Sequence, residues 1–88
     1  MADFGDTVWF VDDDCIKSGI VMTKIIHIGY YDYEINSDNK IYHISELVVP
    51  VSKNLEFGKK IFNSKKDLLN NISNPSKKLL KKYPEYFI

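Results

Sequence analysis

The stretch Gly19-Ile20-Val21-Met22-Thr23-Lys24-Ile25-Ile26-His27-Ile28-Gly29-Tyr30-Tyr31-Asp32-Tyr33-Glu34-Ile35 decides the fold. β-Branched and aromatic residues dominate it, and such side chains suit a half-buried pleated surface. Gly29 divides it into two runs, which predicts a hairpin. In the second run Tyr31, Tyr33 and Ile35 fall on one face, and Tyr30, Asp32 and Glu34 on the other, the period of two expected of a strand. The first run, about Ile20 to Ile28, is apolar on both faces. That suits a strand long enough to bend and serve two sides of a small barrel.

Working outward toward the start of the chain, Gly5-Asp6 signals a turn and Thr7-Val8-Trp9-Phe10-Val11 a first strand. Val8 and Phe10 share the face assigned to the core; Thr7, Trp9 and Val11 share the other. Asp12-Asp13-Asp14 ends the strand, because Asp is poor in strands and good in turns. Cys15 to Ser18 reads as a lead into the long hairpin, and Met1 to Phe4 as a frayed start.

In the other direction, Asn36-Ser37-Asp38-Asn39 is a turn cluster. Lys40-Ile41-Tyr42-His43-Ile44 is the fourth strand, with Tyr42 and Ile44 inward and Ile41 and His43 outward. Ser45-Glu46-Leu47 reads as a turn before Val48-Val49, which Pro50 ends, since Pro cannot donate to a ladder. Residues 51–58 read as a loop. Lys59 to Phe62 supplies a last short strand, with Ile61 or Phe62 closing a barrel. Ser64 then stands as an N-cap with Asp67 three residues on. Leu68, Leu69 and Ile72 form a helical apolar stripe. Asn74 is expected to cap a second helix with Pro75 at its first position, running to about Lys82 and presenting Leu79 and Leu80. The ending, Tyr83 to Ile88, carries three aromatics and is expected to dock on the body of the protein.

The expected fold is mostly β. It is a small barrel of four to five antiparallel strands over about residues 5–62, with a short helical tail over about 64–88, in a single domain spanning 1–88. A chain of 88 residues is sufficient for one modest core. Its aromatic share, 14%, suits the bulky filling that a narrow barrel interior needs. One cysteine, Cys15, excludes an internal disulfide framework. No apolar run approaches the ~18 residues of a membrane span. The first dozen residues hold Asp3, Asp6 and Asp12 and no Lys, unlike a secretory leader. The expectation is a cytoplasmic protein with no membrane association.

Formal net charge is zero but is unevenly placed. Residues 1–50 carry nine acids and three lysines, and residues 51–88 nine lysines and three acids. The two halves are expected to attract one another; an interaction surface is the other reading.

At this point the chain resembles SH3-like barrels of the Tudor and KOW type. Gly5-Asp6-Thr7-Val8 followed by Gly19-Ile20-Val21 resembles their opening hairpin. Tyr31-x-Tyr33-x-Ile35, the polar turn and Tyr42-x-Ile44 resemble their third and fourth strands. Ile61-Phe62-Asn63-Ser64-Lys65 resembles the closing segment of small bacterial and phage proteins of this shape. The resemblance spans roughly residues 5 to 73 and implies a small SH3-like barrel.

The chemistry-bearing residues agree with a non-catalytic role. Asp12-Asp13-Asp14 lacks the alternating ligands, turn glycine and terminal Glu of a calcium loop. His27 and His43, read onto the second and fourth strands, leave a zinc site short of ligands with Cys15 far from both. Cys15 in an acidic turn is a poor setting for a nucleophilic thiolate. No metal and no cofactor is expected.

Two surfaces remain. The outward face of the sheet gathers Trp9, Tyr30, Asp32, Glu34, Ile41 and His43, where aromatics beside acids suit a cationic or proline-rich protein segment. Coverage of this face by Leu79, Leu80 and Phe87 of the tail is the competing structural reading. Alternatively Lys77, Lys78, Lys81 and Lys82 track a nucleic-acid backbone, with Tyr83 or Tyr86 stacking on a base. Self-association of the oppositely charged halves is a third possibility. Composition rich in Ile, Lys, Asn and Tyr suits an AT-rich genome. With the small size it points to a phage or mobile-element accessory protein that binds and inhibits a host protein.

Overall fold

The computed structural model describes residues 2–47 and 59–87. Four antiparallel strands lie side by side in chain order: β1 (Thr7–Asp12), β2 (Cys15–Ile26), β3 (Tyr30–Ser37) and β4 (Lys40–Leu47). Two short helices follow, α1 (Lys65–Asn70) and α2 (Lys77–Lys82), and then a single 3-10 turn at Pro84–Tyr86. The sheet is open. The expected fifth strand is reduced to one bridge, in which Trp9 and Phe62 exchange backbone hydrogen bonds of 2.7 and 2.9 Å. The expected turn and loop over 48–58 lie outside the described residues.

Two hairpin turns set the register. Asp13 and Asp14 have φ of 48° and 56°, and Asp38 and Asn39 have φ of 50° and 60°. Successive positive φ values are the signature of the primed two-residue turns, and Asp and Asn tolerate them better than most residues. Asp12 therefore pairs with Cys15, and Ser37 with Lys40. This corrects the sequence reading at one end: Cys15 to Ser18 are strand, because a turn that tight leaves no room for a lead-in. Ser45 to Leu47 are likewise strand, continuing β4 opposite Tyr30 to Asp32.

A bulge in β2 changes which residues face inward. Val21 pairs with Ile35 and Thr23 with Glu34, so Met22 is the extra residue. Before it the odd residues of β2 face the core; after it the even ones do. Lys24 thus stands opposite Tyr33 on the inner face, and Ile25 is turned out.

The core is the inner face: Val8, Phe10, Val21, Tyr33 and Ile35, closed by Ile61 and by Ala2. Tyr31, Tyr42 and Ile44 pack at its margin. Residues 2–6 are therefore not a frayed start. Gly5 donates to the Val21 carbonyl at 2.8 Å, Val21 donates back to Asp6 at 3.0 Å, and Ala2 is buried. Ile61 reaches the core because the Glu46 carboxylate accepts from the Lys60 and Ile61 amides, each at 3.2 Å.

Two lysines finish the inner face. Lys17 lies opposite Phe10, and its Nζ donates to the Tyr42 hydroxyl at 2.7 Å and to Asp12 at 3.1 Å. Those bonds, the Tyr42 one first, hold its ammonium charged above the ordinary lysine range. Lys24 lies 4.7 Å from the Tyr31 ring centroid and pairs with Asp3 at 3.2 Å. Each stem covers core surface while its head reaches a rim.

The tail docks at the β1–β2 corner. Ser64 caps α1 by accepting from the Asp67 amide at 3.1 Å, as expected. The cap of α2 is Ser76 rather than Asn74: its hydroxyl accepts from the Leu79 amide at 3.2 Å and donates to Asp14 at 2.7 Å. Tyr83 accepts from the Ile16 amide at 3.1 Å, where β2 runs past the end of β3. Ser37 donates to the Ser18 carbonyl of the same overhang at 2.6 Å. These contacts satisfy backbone groups that the ladder leaves over.

Candidate functional site

The outer face is set by the same alternation. All six outward residues singled out from the sequence lie on it, but they do not form one group. Glu34 stands opposite His43, Asn36 opposite Ile41, Asp32 opposite Ser45 and Tyr30 opposite Leu47. Tyr30, Asp32, Glu34, Ile41 and His43 thus share a β3–β4 surface. Trp9 stands apart on β1, opposite Ser18. It is half-buried beside Phe62, with Lys65 Nζ 5.9 Å from its ring, and that lysine also meets the Tyr86 hydroxyl. The tail covers this corner and leaves the β3–β4 surface bare.

Four further apolar side chains extend the bare surface: Ile20, Met22 and Ile25 from β2 and Leu47 from β4. Ile25 is 53% exposed and Leu47 57%. The two-sided apolar character of β2 held this signal. The bulge at Met22 hid which half of the strand contributed which residue.

Asp32 is the polar centre. It accepts from the Ser45 hydroxyl and lies 2.8 Å from His27 Nε2. That nitrogen lacks hydrogen-bond alignment with the carboxylate. His27 sits in the β2–β3 turn rather than on a strand, and stacks on Tyr30 with ring centroids 4.3 Å apart. Beside this group Thr23, Ile25, Asp32, Glu34, His43 and Ser45 line a depression of about 270 Å³. Serine, aspartate and histidine are in contact, but in the wrong order for hydrolysis. The carboxylate lies between the Ser45 hydroxyl and the His27 imidazole, whereas nucleophilic activation places the base beside the nucleophile.

The lysines proposed for nucleic acid project from α2, and Lys77, Lys78, Lys81 and Lys82 are all exposed. Lys78, Lys81 and Lys82 share a cleft with Asp13 and Asp14. The acidic turn and the basic helix are therefore neighbours, the arrangement expected if the two halves attract. Lys82 Nζ also lies 2.7 Å from Cys15 Sγ. The surroundings of this thiol are not purely acidic, as adjacency in sequence implied. Contact with the sulfur, first among the causes, raises the Lys82 ammonium above its ordinary value.

Among the described residues no three His, Cys, Asp or Glu side chains converge as a metal site. No described helix is long and apolar enough to cross a membrane. No protein family matches this chain, and no curated protein or solved structure matches it either.

Proposed function

We propose that this chain is a non-catalytic protein-binding module that uses the outer face of β2–β4. The observation that carries the proposal is the bare surface itself. Ile20, Met22, Ile25, Tyr30, Ile41 and Leu47 are all well exposed around Asp32 and Glu34. Exposed apolar side chains gathered on one sheet face on either side of charged groups are a usual mark of an interaction site. The two acids favour a partner that presents Lys or Arg among apolar residues. A meander of four strands with a rudimentary fifth at Phe62 supports the SH3-like reading of the body. An inhibitory role toward a host protein would use the same face.

The test is capture from the native host with the wild type and with a Tyr30→Ala, Ile25→Ser double variant, quantified by mass spectrometry. A protein retained by the wild type and lost by the variant is the expected result. If every captured protein stays with the variant at unchanged abundance, this face is not the binding site.

A further inference from the structure

The opening in the sheet has its own chemistry, separate from the outer face. Ser37 and Lys40 flank a two-residue turn and so form a hydrogen-bonded pair. Alternation then gives the amides of Tyr42, Ile44 and Glu46 to β3 and turns those of Ile41, His43 and Ser45 to the side away from β3. Among the described residues no hydrogen bond reaches these three backbone groups. On β1 the same count turns Trp9 and Val11 outward. Trp9 is taken by Phe62, and Val11 has no backbone partner among the described residues.

A groove of about 580 Å³ runs between these two edges. His43, Ile44 and Ser45 form one side. Val11, Phe62, Leu68 and Ile72 give it apolar surface, and Lys59 and Lys60 give it positive charge. No acidic side chain is among the described residues lining it.

We propose that this groove receives an extended segment of a partner protein, added to β4 as a further strand and carrying apolar residues that alternate with carboxylates. Main-chain bonds to Ile41, His43 and Ser45 supply affinity, and alternate side chains supply selectivity. The apolar side chains enter beside Val11, Phe62 and Ile72, and the carboxylates meet Lys59 and Lys60. The added strand would fill the gap that the single Trp9–Phe62 bridge leaves. The inference does not rest on the outer-face reading, because it uses the backbone of His43 and not its side chain.

The probe is a short synthetic peptide alternating Val and Glu, capped at both ends, titrated into isotopically labelled protein. In the free protein the His43 and Ser45 amides are expected to exchange rapidly while Tyr42 and Ile44 are protected. Peptide should slow exchange at His43 and Ser45 and shift Val11 and Ile72. A matched Val–Lys peptide should bind roughly tenfold more weakly, a modest difference that fits solvent-facing charge pairs. Lys59→Glu with Lys60→Glu should reverse that order, and Tyr30→Ala should leave the affinity unchanged. Several results would overturn the proposal. One is protection of His43 and Ser45 before any peptide is added, which means the chain already occupies its own edge. Another is protection that depends on protein concentration, which assigns the edge to a second copy. Equal binding of the two peptides, no binding, or shifts confined to Ile25, Tyr30 and Asp32 would do the same.

Discussion

Ile20 and Val21 are consecutive, both β-branched and in the same strand, yet one is 49% exposed and the other fully buried. The comparison holds for the whole sheet. Its inner face is closed by Ala2, Ile61 and two lysine stems; among the described residues its outer face is covered only at the β1–β2 corner. Apolar side chains stand on both faces of one sheet. The inner face forms the core, and the outer face keeps Ile20, Ile25, Ile41 and Leu47 exposed.

The sharpest way to break that contrast is to truncate each face in turn. Phe10 lies within the inner cluster and is 1% exposed. Phe10→Ala is expected to cost about 3–5 kcal/mol, the range for deleting a buried ring, read from urea unfolding. Against a total stability that is typically about 5–15 kcal/mol, such a loss approaches unfolding. A loss below about 1 kcal/mol would mean that the inner face is not the core.

Gly19 tests the inner face from the other direction. It stands opposite Val8, and a Cβ built there would lie 2.6 Å from the Asn36 carbonyl oxygen and 2.7 Å from Ile35 Cγ2. One of these is backbone, so the strands must separate to admit it. Gly19→Ala should therefore destabilise by about 1–3 kcal/mol, as overpacking does. An unchanged midpoint would show that β2 and β3 do not approach this closely.

How far these features were legible in the sequence follows from the range over which each is determined. Val8 with Phe10, and Tyr31, Tyr33 and Ile35, declare their face through local alternation, and Ser64 declares its helix through a cap three residues from its partner. Ile25 and Lys24 were not assignable, because a bulge at Met22 exchanges the two faces and leaves no compositional mark. Ala2 joins the core through contacts with residues far along the chain. Ser76 displaces Asn74 as cap where Asp14, distant in sequence, accepts a hydrogen bond from its hydroxyl. The outer-face acids and Tyr30 were visible as an alternating set, but the separation of Trp9 from them depends on where the tail docks.

Tyr33 sharpens the account of the inner face by pH. Its hydroxyl has no well-aligned hydrogen-bond partner among the described residues. Burial, and after it the charge of Glu46, raise its phenol above the ordinary value of about 10. A raised acid binds its proton longer in the folded state than in the unfolded one. Its contribution to stability is thus present below about pH 10 and is lost as pH rises beyond it. Tyr33→Phe should gain up to about 1 kcal/mol at neutral pH by removing an unsatisfied hydroxyl. It should also flatten the alkaline fall in stability. The part of the fall that remains belongs to Lys17 and Lys82, whose raised ammonium groups act in the same direction. An alkaline limb identical in the variant would remove burial of the phenol from the explanation.

The smallest expected effect on folding is also the most informative about the outer face. Ile25 keeps 53% of its surface in water, so Ile25→Ser forfeits far less burial than a core truncation. Its stability should fall by less than about 1 kcal/mol, the span of strand propensity in a host sheet. A core residue cannot behave this way, and neither can one whose face is covered by the tail. If unfolding midpoints agree while a captured partner is lost, the bare face serves contact and not folding. A loss of more than about 1 kcal/mol would instead place Ile25 in a packed environment, and the two faces of the sheet would no longer differ in kind.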